Sequence, residues 1–282
     1  MNHSTCSESN PLTGSVIEDL DDSGPSFDDV TFEPIERTTT LGLVELVLKD
    51  RSWLHRLIRD PALQSELIPR FLCIAMIGFV LYGVAMSIVL NSAGVWPELT
   101  AIEQRLSDPN ADLLRFVPRG AGEGITARWF DGSAFSLTAA YALGLIAATG
   151  ICLPSLYFYG LLAGVRMSML DVTIHALKSK ATAAVALVGL LPIYAAVSMG
   201  MVVFGAPAGL VNLSLLLGLA LPFVAGLWGT YSLYVGFSTL CDTLPAERRY
   251  RRECFLRRLV LSWSACYSAV MPVMIFTLWQ GF

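Results

Sequence analysis

The sequence predicts an all-α fold: a polytopic integral membrane helix bundle of five transmembrane helices, with the N-terminus in the cytoplasm and the C-terminus outside. Three observations lead there. Of the 282 residues, 54% are hydrophobic and only 15% are charged, where soluble domains carry about a quarter charged residues. The mean hydropathy is +0.59, and the apolar residues gather in long uncharged runs, the mark of spans rather than of a large soluble core. Lys and Arg, finally, collect on alternate sides of those runs.

Residues 1–37 read as an acidic, disordered cytoplasmic tail. Residues 1–36 hold nine acids and no Lys or Arg, and Ser, Asp, Pro and Gly bury too little surface to offset chain entropy. Within the tail, "SFDDVTFEPIE" places Phe27, Val30, Phe32 and Ile35 among acids. It is a candidate docking motif for protein partners, against the plainer reading of a solvating tail. No signal peptide is visible, so the first span is expected to act as the insertion signal.

Residues 38–70 form a second segment, a basic amphipathic helix and linker. In "LGLVELVLKDRSWLHRLIR", 41–59, Leu43, Val47, Leu54, Leu57 and Ile58 share one side and Lys49, Arg51, Arg56 and Arg59 lie elsewhere. Such a helix, carrying Trp53, suits the plane of a bilayer surface. The alternative is packing against the protein's own cytosolic ends. Pro61 is expected to end it.

The membrane domain follows over 71–282. Residues 71–90 give twenty apolar residues, enough to cross at about 1.5 Å each. The uncharged stretch from Ala181 to Cys241 needs a division, and "FGAPAG" at 204–209 supplies a turn. Five spans result: 71–90, 134–163, 182–203, 209–240 and 259–279. The second and fourth would reach roughly 45 Å against a hydrocarbon core of about 30 Å. Pro154, Pro192, Pro222 and Pro272 are the candidate helix kinks, static or gating, because proline frees a carbonyl within a helix.

Orientation follows from the basic residues. One side collects fifteen of the nineteen Lys and Arg and the other four, namely Arg105, Arg115, Arg119 and Arg128. The richer side belongs in the cytoplasm. The greatest concentration is "ERRYRRECFLRR", where Arg248, Arg249, Arg251, Arg252, Arg257 and Arg258 occupy the connection between the fourth and fifth spans. There they form a basic loop facing anionic lipid headgroups, each residue worth roughly 1 kcal/mol near the surface. Without aromatic residues interleaved over a wider basic surface, a nucleic-acid partner is not expected.

Catalytic patterns are missing. The chain has no GxSxG and no HExxH. His3, His55 and His175 stand apart, and none of the six cysteines makes a CxxC pair; no metal site or cofactor is expected. "GAGEG" at 120–124 has no lysine to form a phosphate loop and reads as a connector. Trp96, Trp129 and Phe130 suit an aromatic belt. The five spans hold no Asp, Glu, Lys, Arg or His, although proton relays and coupled carriers place ionisable groups at membrane depth.

This layout, an acidic cytosolic N-terminal region followed by five spans running from inside to outside, resembles the Yip1-like membrane proteins over residues 38–282. The Asp-Tyr-Gly type sequences that precede the first span of eukaryotic members are missing, so no residue role is carried over. The resemblance implies a non-enzymatic scaffold that recruits partners through its cytosolic face. A permease, or a membrane subunit of a transport complex, is the alternative. A bacterial cytoplasmic membrane is the expected location.

Overall fold

Five helices are long and apolar enough to cross a membrane, and they coincide with the five uncharged runs. They are seen in a computed structural model that describes residues 40–49, 54, 58, 61–99, 114–120, 122–124, 126–162, 168–241 and 246–281. The order is α1 (Thr40–Lys49), α2 (Pro61–Ser92), β1 (Val95–Leu99), β2 (Leu114–Pro118), the single turn α3 (Ala127–Phe130), α4 (Ser133–Leu162), α5 (Met169–Val203), α6 (Ala208–Cys241) and α7 (Ala246–Gly281). The acidic tail and its Phe27, Val30, Phe32 and Ile35 lie outside the described residues.

The helices overrun the apolar segments, and mostly at one end. α2 begins at Pro61, ahead of the apolar run at 71–90. Proline suits a first helical turn, where its missing N–H would have no partner anyway. The residue expected to stop one helix therefore starts the next. α5 begins at Met169 and α7 at Ala246, so Lys178, Lys180 and the six arginines, expected in connections, lie on helices. Arg248, Arg249, Arg251, Arg252, Arg257 and Arg258 occupy the early turns of α7 rather than a loop. Ala, Leu, Arg, Glu and Lys are good helix formers, and a helix satisfies its backbone equally well on either side of a bilayer boundary.

Cross-helix contacts run antiparallel between α4 and α7 (Cys152 with Trp263, Leu145 with Tyr267) and between α5 and α6 (Ser198 with Ser214, Ser179 with Gly229). α2 packs chiefly along α5, and α4 along α7. Small residues permit the approach. A Cβ on Gly78 would stand 2.8 Å from the Ala184 Cβ, one on Gly83 2.9 Å from the Thr138 Cα, and one on Gly144 2.8 Å from the Ile275 Cγ1. Gly229 abuts Ser179 of α5, and Gly226 has open space around it.

The interior divides into two cores. The larger joins all five long helices around Phe79, Tyr82, Leu145, Leu187, Trp263 and Tyr267. The smaller lies at the end where α2 and α5 begin. There Leu43, Leu46, Val47, Leu54 and Ile58 pack with Phe71 and Ile174. The apolar stripe assigned to a bilayer surface is thus covered by α2 and α5. On the outside of the bundle, Ile77, Ile151, Ile193, Leu213, Val224 and Val273 remain exposed.

The fold is not purely helical. β1 and β2 pair antiparallel, with Trp96 opposite Val117 and Glu98 opposite Arg115. This ribbon caps one end of the bundle. Arg119 ties it to the end of α2 through hydrogen bonds from its guanidinium to the Asn91 backbone oxygen and side chain.

Candidate functional site

The polar chemistry of the bundle begins at a proline. Pro222 has no N–H to give the carbonyl of Gly218, four residues back in α6. The Tyr82 hydroxyl of α2 donates to that carbonyl at 2.5 Å. One residue on, the Tyr141 hydroxyl of α4 donates to the Leu219 carbonyl at 3.0 Å. Nearby, Tyr194 of α5 donates to the Ser214 carbonyl at 3.2 Å, and the Ser198 and Ser214 hydroxyls share a bond of 2.9 Å. Three helices are thereby fastened to α6 around Pro222. Gly218 is needed there: a Cβ would lie 2.0 Å from the Tyr194 hydroxyl oxygen.

A second cluster is built around a buried lysine. Lys180 is 5% exposed and its Nζ lies 3.7 Å from the ring centroid of Tyr267, inside the fifth apolar segment. Tyr267 stacks on Trp263 at 5.5 Å and donates to the Leu145 carbonyl at 3.3 Å. The Trp263 indole donates to the Cys152 carbonyl at 2.9 Å. Among the described residues no carboxylate lies within ion-pair distance of Lys180. The expectation that ionisable groups stay out of the packed spans is corrected here: Lys180 precedes the apolar run by two positions, and α5 carries it into the bundle. Its surroundings are an aromatic face and polar backbone, which attract a cation without a counter-charge.

The start of α5 is fixed by a capping box. Asp171 N–H donates to the Ser168 hydroxyl at 3.1 Å, and Ser168 N–H returns to the Asp171 carboxylate at 2.8 Å. Gln64 of α2 also donates to that carboxylate, at 2.7 Å. The α2 and α5 extensions therefore share polar as well as apolar contacts.

At the ribbon-bearing end two cavities adjoin. One, of about 420 Å³, opens between α6 and α7 and is apolar, with Tyr141 and Phe223 on its walls and Leu114 of β2 above. Pro272 of α7 also lines it. The other, of about 440 Å³, is polar and bounded by Trp96, Glu98, Arg128, Asp131, Ser133 and Ser136. Trp279 lines both. Each volume falls within the roughly 300–1,000 Å³ of small-molecule sites.

The four candidate kink prolines have different settings: the Gly218 carbonyl behind Pro222 accepts from Tyr82, Pro272 lines a cavity, and Pro154 and Pro192 lie within α4 and α5. Of the six arginines, Arg258 is exposed. Trp96, assigned to an aromatic belt, is 5% exposed and sits under the Arg128 guanidinium at 6.0 Å. The tyrosine hydroxyls escaped the sequence reading because aromatic residues count as apolar there. Their amphipathic character, a large ring with one donor, was the signal available.

Five apolar helices, a capping ribbon and polar fastenings between helices define an architecture of multi-pass membrane type. Comparison with known proteins adds no relative: no family model, no curated protein and no solved structure matches the chain.

Proposed function

We propose that this chain is a non-enzymatic integral membrane scaffold, inserted with its N-terminus in the cytoplasm and its C-terminus outside. Insertion is supported by helices that are apolar on their outer as well as their inner faces, as lipid-facing spans are. The scaffold reading rests on one observation: the smaller core holds α1 against α2 and α5 through Leu43, Leu54 and Ile58. Residues 1–37, with the Phe27–Ile35 motif, precede this anchored helix in the chain, on the side proposed to hold the arginines of α7. A tail so placed recruits protein partners from a defined point, while Arg248–Arg258 attract anionic headgroups. The Yip1-like layout implies the same role, and a bacterial cytoplasmic membrane suits it. The test is affinity purification from native membranes with and without residues 1–37. Partner recovery should collapse on deletion; unchanged recovery refutes the scaffold. Reporter fusions finding both termini on one side refute the orientation.

The permease reading is favoured by Lys180. An ionisable side chain among packed spanning helices is a functional candidate in its own right. Solute flux into proteoliposomes, lost in Lys180→Met, supports this reading; flux that Lys180→Met leaves unchanged counts against a part for the lysine.

A further inference from the structure

We propose that Cys152 of α4 and Cys266 of α7 form a redox-active dithiol, which a quinone dissolved in the bilayer oxidises to a disulfide. The proposal rests on membrane insertion of the five helices and is independent of the scaffold role.

Cys152 and Cys266 are both free thiols, and their side chains share a hydrogen bond across the seam between α4 and α7. The seam is fixed on either side of them. Trp263 donates to the Cys152 carbonyl at 2.9 Å, and Tyr267, the neighbour of Cys266, donates to the Leu145 carbonyl at 3.3 Å. Gly144, Ala148 and Cys152 recur at every fourth residue, so they share one face of α4. At Gly144 a Cβ would stand 3.2 Å from the Ile275 Cα. A disulfide needs Cα atoms within about 7 Å of each other, and small residues spaced in this way let two helices approach closely.

Lys180 of α5 completes the cluster. It interacts electrostatically with Cys152, and among the described residues no carboxylate lies within ion-pair distance of it. The thiolate is the reacting form of a cysteine, and in an apolar interior its charge is costly without a cation beside it. The Lys180 amine takes the Cys152 proton and offsets the charge left behind. The Tyr267 ring, 3.7 Å from Nζ, favours the ammonium so formed.

The two thiols differ in access. Cys152 is buried and Cys266 is exposed. Cys266 lies six residues beyond Val260, where the apolar part of α7 begins, or roughly 9 Å along the helix. Leu261 and Ala269 are exposed on the same segment. This thiol therefore faces hydrocarbon, which admits an apolar quinone and excludes charged oxidants. In the reaction both S–H bonds break and one S–S bond forms. The dithiol gives up two electrons and two protons, one proton by way of Lys180. The quinone takes them and becomes a quinol.

The experiment places the reduced full-length protein in phosphatidylcholine vesicles. One sample receives a short-chain ubiquinone and another receives glutathione disulfide in the water. Remaining thiols are alkylated, and peptide mass spectrometry maps the links. The quinone should join the Cys152 and Cys266 peptides, leave Cys73 alkylated, and yield one quinol for each disulfide. It should act at least about tenfold faster than glutathione disulfide, and Lys180→Met should slow it by roughly tenfold, because the rate follows the thiolate fraction. Lys180→Gln serves if Lys180→Met does not fold. Cys266→Ser, a change at an exposed position, should leave Cys152 alkylated. Cys152 and Cys266 left unlinked by the quinone overturn the dithiol. Equal rates with the two oxidants overturn the quinone as its partner, and an unchanged rate in the lysine variants overturns the part given to Lys180.

Discussion

The Tyr82 hydroxyl donates to the Gly218 carbonyl, the acceptor that Pro222 leaves without its helical partner. Tyr82→Phe should therefore destabilise the bundle by about 1–2 kcal/mol, since it leaves a buried carbonyl unpaired. Pro222→Ala restores an N–H to α6, so the same Tyr82→Phe change should cost less in that background. Unfolding titrations of the four proteins in detergent micelles close the cycle. Strict additivity would mean that the tyrosine does not compensate for the proline.

Two glycines of α6 should answer differently to alanine. At Gly218 the new methyl group must displace Tyr194, costing roughly 1–3 kcal/mol. At Gly226 nothing lies within 4 Å of the added Cβ, and the better helix propensity of alanine should give up to about 1 kcal/mol. Thermal midpoints of the two variants should move in opposite directions.

Lys180→Met should leave the fold as stable as before or more so, because it removes a buried amine that has no carboxylate partner among the described residues. Its attraction to the Tyr267 ring is measured by coupling with Tyr267→Leu, expected at about 0.5–2 kcal/mol. A steep loss of stability in Lys180→Met alone would point to an ionic partner instead.

Detachment of the N-terminal segment is a local event. Leu43→Ala removes a fully buried side chain, and such changes cost about 2–5 kcal/mol. If α1 is held only by the smaller core, limited proteolysis between residues 40 and 60 should accelerate by at least about tenfold. The thermal midpoint of the five-helix bundle should hardly move. A parallel fall of both would show that the two cores unfold together.

The capping box at α5 gives a smaller effect. Ser168→Ala should cost about 1 kcal/mol. Asp171→Asn should cost less when added to Ser168→Ala than alone, because each residue caps the other.

Much of the fold was legible. The five runs, the turn at 204–209 and the lengths sufficient to span all follow from hydropathy, and the long helices occupy those places. Helix starts were less legible, since Pro61, Met169 and Ala246 begin helices inside polar sequence. The ribbon was missed because Pro97 interrupts a five-residue strand whose pairing partner is fifteen or more residues away in the chain. Of the residues lining the polar cavity, Arg128 was read only as a charge in a connection, and Glu98 and Asp131 carry no local pattern that singles them out. Nothing local tells that Trp279, far along the chain, stands between them and an apolar cavity.

By itself the sequence determined how many helices can span a membrane and where each apolar segment lies. Those properties sum over neighbouring residues and depend only on the solvent each prefers. Only the tertiary structure decided which helix supplies the donor for Gly218, where Lys180 rests, and that the α1 stripe meets protein. Those outcomes depend on contacts a few ångströms long between distant residues, where one added methyl group changes which helices can touch.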